Sequence, residues 1–140
     1  LGATYTEDGE TIYAIVHNEY HGFDHPGQCS AGHWTMDCWY NGLSLAVSTD
    51  AGLSYQHPVQ PPLHLIAASS LQYEKHMGPH GIFHPSGIVK GADGYYYAMF
   101  HRVRNFASNP YEQWTCLART PDLADADAWR SGVGVDLKAH

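Results

Sequence analysis

Short apolar stretches separated by polar turns run along most of this chain, and each stretch has the length of a β-strand. We predict strands at 11–17, 43–48, 53–56, 63–68, 86–90, 95–101 and 114–120, with a last strand beginning at 128. No segment shows the 3.6-residue period of a long amphipathic helix. The chain is therefore predicted to be all-β, with irregular loops at 18–40, 69–85 and 102–113.

Two parts of the chain repeat the same order of strands and turns. Tyr13 and His17 reappear as Tyr97 and His101, both 84 residues further along. Each part contains a strand, an Asp-Gly turn, a strand, a long loop, a strand, an Asp-containing turn and a strand. That order is typical of a four-stranded antiparallel meander, used twice.

Such a meander buries its faces by stacking on others, and a radial stack of them is a β-propeller. We predict an incomplete ring of two blades, one in 1–68 and the second in 69–140. The short turns of a meander share one end, and the long loops 18–40, 57–85 and 102–113 share the other, which we call the top face. Loops on a rigid scaffold are where sites usually lie.

The turn at 48–55 carries the spacing Ser-x-Asp-x-Gly-x-x-aromatic. Asp50 can accept hydrogen bonds from the N–H groups of its own turn, Gly52 can take a positive φ, and Tyr55 can return over the hairpin. The spacing resembles the Asp-box of sialidases and related β-propellers, which lies between the third and fourth strands of a blade. An ordinary Ser/Asp/Gly hairpin is the alternative.

A second resemblance involves 84–89 with 93–97, and 116–123 with Trp129. These segments are similar to the blade openings and third strands of five-bladed propeller glycoside hydrolases of the arabinanase and xylosidase type. The resemblance implies hydrolysis of glycosidic bonds by a carboxylate pair at the top face, with carbohydrate as the partner. The family's opening often reads Asp-Pro-Ser and its Asp can be catalytic, but His84 holds that position here.

Charge and hydropathy narrow the range of partners. The formal charge is −7 with only seven Lys and Arg and no basic run, which argues against nucleic acid. No apolar run approaches ~18 residues, so no membrane partner is expected. The chain begins without Met and is expected to be an excised or processed piece. If the protein instead ends at these termini, exposed blade edges are expected to drive self-association. No cofactor is expected.

The three cysteines lead to separate expectations. Cys29 and Cys38 lie in one loop and could form a disulfide in an oxidising compartment. The compartment itself is not fixed by the sequence, and an extracellular or periplasmic location is favoured. Cys116 lies in a predicted strand and is expected to be a buried thiol.

Glycoside hydrolysis needs one carboxylic acid to protonate the leaving oxygen and one carboxylate as base or nucleophile. Glu19 follows a predicted strand at the top face and has His neighbours, while Asp37 lies between aromatic residues. We select these two as the catalytic candidates. Asp24, Glu74 and Glu112 lie in the same loops and are interpreted as solvated charges or discounted by spacing.

Ten of the eleven histidines fall in or beside the top loops, yet none shows a strong zinc spacing. We therefore predict no metal site and interpret the histidines as a polar lining for sugar hydroxyls. The candidate substrate-binding residues are His17, His80, His84, His101, Arg102 and Trp39. Packing between blades and a rim ion pair are the alternatives for the aromatic residues and the arginine.

Three functions remain open at this point. A carbohydrate-active enzyme leads, because the resemblance favours it. A non-catalytic carbohydrate- or partner-binding propeller module and a His-rich metal-binding scaffold are the alternatives.

Overall fold

The computed structural model describes residues 2–29, 38–75, 78–104 and 112–131. The strands in these ranges are β1 (Ala3–Tyr5), β2 (Ile12–His21), β3 (Trp39–Ser48), β4 (Leu65–Ala67), β5 (His80–Phe83), β6 (Val89–Lys90), β7 (Tyr96–Arg104), β8 (Glu112–Thr120) and β9 (Arg130–Ser131). Two 3₁₀ helices, Gly22–Asp24 and Ala126–Ala128, are short turns between strands. The described part of the chain contains no α-helix, so the all-β prediction is confirmed.

The strands form one open, mixed sheet with the order β1-β2-β3-β5-β7-β8-β9, and β4 and β6 pair with β3 and β7 respectively. Every pairing is antiparallel except the one between β3 and β5, where Tyr40 lies opposite His80 and Asn41 opposite Gly81. The sheet therefore contains two antiparallel groups, β1-β2-β3 and β5-β7-β8-β9, joined by a short parallel contact.

Several predicted boundaries are wrong. β2 continues to His21 and β3 begins at Trp39, so both ends of the predicted loop 18–40 are strand. β5 lies inside 69–85, which was predicted to be irregular, because a run of four residues is too short to show a period.

The predicted strand 53–56 reduces to a single bridge between Val47 and Gln56. On the Leu45 side of Val47, the backbone groups at the edge of β3 already form other hydrogen bonds. The Leu45 N–H donates to the His64 carbonyl at 2.9 Å, and the His57 ring bonds the Leu45 carbonyl at 2.7 Å. No free backbone groups of Leu45 remain there for a longer fourth strand.

One apolar cluster collects side chains from both antiparallel groups. Under the 84-residue offset, Ile15 corresponds to Met99 and Val16 to Phe100. Ile15 is 2% exposed and Phe100 is 4% exposed, whereas Met99 is 49% exposed. Because neighbouring residues of a strand point to opposite sides, the two groups contribute opposite faces of their equivalent strands to the core.

A polar contact also joins the two groups, at the end of the sheet opposite the long loops. The Glu7 carboxylate accepts hydrogen bonds from Lys90 and from the Tyr96 hydroxyl. The Lys90 contact is the main reason that the pKa of Glu7 lies below its ordinary value. The Tyr5 and Tyr96 rings meet edge to face with centroids 5.2 Å apart.

The turn around Asp50 forms as its composition predicts. Asp50 Oδ1 accepts from the Ser54 N–H at 2.9 Å and from the Ser48 hydroxyl at 2.7 Å, and Oδ2 accepts from the Ser54 hydroxyl at 2.6 Å. Gly52 adopts φ +89°. The hydrogen bonds from Ser54 and Ser48 lower the pKa of Asp50 to about 2. This aspartate therefore closes the turn, in agreement with its predicted structural role.

Cys29 and Cys38 form a disulfide, with their Cα atoms 5.7 Å apart. Cys116 is a free thiol and is half-buried rather than fully buried; its burial raises its pKa. No helix in the described ranges is long and apolar enough to cross a membrane.

Candidate functional site

The strand register places Glu19 at one end of the sheet. Glu19 lies opposite Asn41, Asn41 opposite Gly81, and Gly81 opposite Val103. The last residues of β2 and β7 and the first residues of β3 and β5 therefore form one row. This row is the end to which the long loops attach, as the meander predicts.

Glu19 lies between two histidines of its own strand. Its carboxylate is 3.3 Å from His17 Nδ1 and 3.1 Å from His21 Nε2. Residues 17, 19 and 21 alternate along β2, so their side chains share one face. His21 Nδ1 also lies 3.8 Å from Asp24, which is 62% exposed. We call His17, Glu19 and His21 the histidine–glutamate cluster.

Asn41 sets the tautomer of His17. The buried Asn41 side chain donates from Nδ2 to His17 Nε2 at 2.9 Å. His17 Nε2 is therefore the acceptor, so the proton of the neutral ring is on Nδ1, the atom that lies 3.3 Å from the Glu19 carboxylate. Burial is the main cause that lowers the pKa of His17, ahead of the opposing charge of Glu19. The neutral ring is thus the form that this geometry holds at pH 7.

An aromatic wall adjoins the histidine–glutamate cluster. The Phe83 and His84 rings lie 5.7 Å and 5.5 Å from His17, and the Trp39 ring lies 5.1 Å from His21. His84 sits at φ +46°, directly after β5. His101 lies opposite Phe83 in the pairing of β5 with β7, so it belongs to the same neighbourhood.

Two of the substrate-binding candidates lie elsewhere. His80 is 2% exposed, its ring stacks on Tyr40 at 5.7 Å, and its Nε2 bonds the Ser69 hydroxyl at 2.8 Å. It supports Tyr40 from beneath the surface. Arg102 lines a separate cleft with Arg104 of β7 and with two residues of β8.

The structure describes one of the two catalytic candidates. Glu19 belongs to the cluster, whereas Asp37 lies outside the described residues. Of the carboxylates interpreted as solvated, Asp24 contacts His21, and the exposed Glu112 lies 3.8 Å from Arg104.

Sequence reasoning placed histidines beside Glu19 but missed Asn41 and Phe83, both of which contact His17. The alternation of His17, Glu19 and His21 was visible, and continuing the strand by four residues would have placed all three on one face. Nothing local marks Asn41 or Phe83. Asn41 reaches His17 through the pairing of β2 with β3, and Phe83 is brought near by the pairing of β5 with β3.

Within the ranges that the structure describes, no group of three or more His, Cys, Asp or Glu side chains is arranged to hold a metal ion. In the cluster, Glu19 is hydrogen-bonded to the His21 ring at 3.1 Å and lies 3.3 Å from His17 Nδ1.

Comparison of the chain with models of protein families, with curated proteins and with solved structures finds no match. The likeness to propeller glycoside hydrolases rests on the motifs quoted above and stays a prediction.

Proposed function

We propose that this chain is a carbohydrate-active unit of a β-propeller of the glycoside hydrolase type, with Glu19 as one of two catalytic carboxylates. The observation that carries the proposal is the Glu19 carboxylate, held between His17 and His21 beside Trp39 and Phe83. Aromatic rings offer apolar faces for a sugar. The Glu19 carboxylate lies at the end of the sheet to which the long loops attach, where it is accessible to a sugar.

The packing of the two antiparallel groups supports the propeller part of the proposal. In a radial stack every blade turns in the same sense, so the upper face of one blade meets the lower face of the next. The core of this chain likewise pairs the Ile15 face of one group with the Phe100 face of the other, which are opposite faces under the repeat.

We assign the roles within the pair from the contacts of Glu19. Asn41 holds His17 with its Nδ1–H on the side of Glu19, and the Glu19 carboxylate is hydrogen-bonded to the His21 ring, which supports an accepting role for Glu19. An acceptor carboxylate suits the base or nucleophile of glycoside hydrolysis, and the second carboxylate, proposed to be Asp37, then supplies the proton to the leaving oxygen. The Asn41–His17 contact positions Glu19 without touching substrate.

The test is hydrolysis by the purified chain, measured as reducing ends released from arabino- and xylo-oligosaccharides. Glu19→Gln is expected to lower the rate at least about 100-fold, because it removes a catalytic carboxylate. Glu10→Gln, the same change at the exposed opposite end, is expected to leave the rate unchanged. Equal activity in Glu19→Gln and wild type, or no hydrolysis by wild type, would contradict the enzyme proposal.

A carbohydrate-binding role without hydrolysis is the second candidate. The observation that favours it is the exposure of Asp24, the other described carboxylate that contacts His21. A catalytic proton donor is suited to a site from which water is excluded, whereas the Asp24 side chain is exposed to solvent. This candidate predicts saturable binding of a saccharide that Glu19→Gln retains, with no product released. Loss of all saccharide binding in wild type would contradict it.

A further inference from the structure

A cleft lies on β7 and β8, apart from the histidine–glutamate cluster. It has a volume of about 460 Å³ and is lined by Arg102, Arg104, Trp114 and Cys116. We call these four residues the arginine cleft. Arg102 lies directly opposite Trp114 in the strand pairing, so the guanidinium and the indole are neighbours on one face.

The arginine cleft continues the face that forms the core. Ala98 and Phe100 are buried on the same side of β7 as Arg102 and Arg104, because all four alternate along the strand. This face of β7 is apolar at Ala98 and Phe100, where the β1-β2-β3 group covers it, and it carries the two arginines further along the strand. Trp114 remains 46% exposed there.

The positive charge of this cleft is only partly compensated. Arg104 Nε lies 3.8 Å from the Glu112 carboxylate. Arg102 has no carboxylate in ion-pair contact within the described ranges, although the chain carries 14 Asp and Glu against seven Lys and Arg. Among the described residues, Arg102 is thus a partly buried cation without a carboxylate partner, beside the exposed Trp114 indole.

The neighbouring histidine adds no charge. His80 is buried, and its burial, followed by the charges of Arg102 and Arg104, lowers its pKa. Its Nδ1 has no hydrogen-bond partner among the described residues. The cationic character of the cleft therefore comes from the two arginines.

Building on the proposed function, we propose that the arginine cleft binds a carboxylate-bearing sugar, that is, a uronic acid residue of a saccharide. The planar guanidinium of Arg102 matches a carboxylate with two parallel hydrogen bonds. The Trp114 indole offers a flat apolar surface for the sugar ring. A neutral sugar would leave Arg102 without an anion, so the cleft distinguishes acidic from neutral saccharides.

The experiment titrates the purified chain with trigalacturonate and with neutral galactotriose, following the indole signal that Trp114→Phe removes. Trigalacturonate is expected to saturate the signal at least about tenfold more tightly than galactotriose, and more weakly at 0.5 M salt. Equal affinity for the two saccharides would overturn the proposal. Binding of a sulfated galactose as tight as that of the uronate would overturn the preference for a carboxylate.

Variants test the role of each side chain. Arg102→Gln is expected to weaken uronate binding at least about tenfold, and Arg102→Lys is expected to recover only part of it, because lysine lacks the planar fork. Arg119→Gln is the matched control: it removes the same charge from β8, on the opposite face and at the far end of the strand. Unchanged binding in Arg102→Gln, with its thermal unfolding equal to wild type, would overturn the proposal.

The two proposals fail separately. Glu19→Gln is expected to lower hydrolysis at least about 100-fold while leaving uronate binding through Arg102 intact. Uronate binding without any hydrolysis by wild type contradicts the enzyme proposal alone. Hydrolysis of neutral oligosaccharides without uronate binding contradicts the arginine cleft alone.

Discussion

Single residues in this protein derive their roles from hydrogen bonds that can be named one by one. Asp50 shows this in a turn, where it accepts from Ser48 and twice from Ser54. Asn41 shows it at the candidate site, where it fixes one nitrogen of His17 and so directs the other toward Glu19. The first set of contacts spans a few residues of sequence, while the second joins two strands.

At this scale we predict that Asp50→Ala lowers the melting temperature at pH 7 by about 2–5 °C, because the turn loses its acceptors. The pKa of Asp50 is depressed in the folded chain to about 2, so its contribution to stability is fully present above pH ~4 and is lost as the pH falls through 2. Melting curves between pH 5 and pH 2 check this. Wild type should lose more stability than the variant on acidification; parallel losses would refute the assignment.

At the scale of elements, β5 decides how the two antiparallel groups meet. It pairs with β3 in parallel and with β7 antiparallel, although it is only four residues long. Gly81 makes the contact with β3 feasible: its φ is +112°, and a Cβ added there would collide with the Asn41 carbonyl oxygen. A residue with a side chain would force β5 away from the strand that holds Asn41.

We therefore predict that Gly81→Ala destabilises the chain by about 2–4 kcal/mol, through the clash and the strained φ. Gly87→Ala is the control, because a Cβ at Gly87 would meet no atom within 4 Å. Urea unfolding of the two variants gives the comparison. A Gly81→Ala midpoint equal to that of Gly87→Ala would show that β3 and β5 do not approach as closely as described.

At the scale of the whole molecule, the two antiparallel groups share one core and cannot be buried independently. Ile15 and Phe100 meet in the same apolar cluster, while Met99, the repeat equivalent of Ile15, faces outward. Under the propeller proposal, the exposed Met99 face is the one on which a further blade would pack. Each group depends on the other for the burial of its inner face.

We predict that Phe100→Ala costs about 3–5 kcal/mol, whereas Met99→Ala, its neighbour on the opposite face, changes stability by no more than about 0.5 kcal/mol. Because the core is shared, Phe100→Ala should also speed amide hydrogen exchange in β2 and β3, which lie in the other group. Chemical denaturation and hydrogen exchange measure the two effects. Faster exchange confined to β7 and β8 would mean that the groups unfold separately.

The sequence by itself determined the all-β class, the Asp50 turn and the end of the sheet at which Glu19, His84 and Arg102 lie. Period-two alternation and turn chemistry are local, so they can be recognised within a few residues. Only the tertiary structure decided that Asn41 orients His17, that His80 is buried and that Arg102 lies in a separate cleft. These outcomes depend on which strands become neighbours and which face each group buries, and pairing across long separations leaves no local mark in the chain.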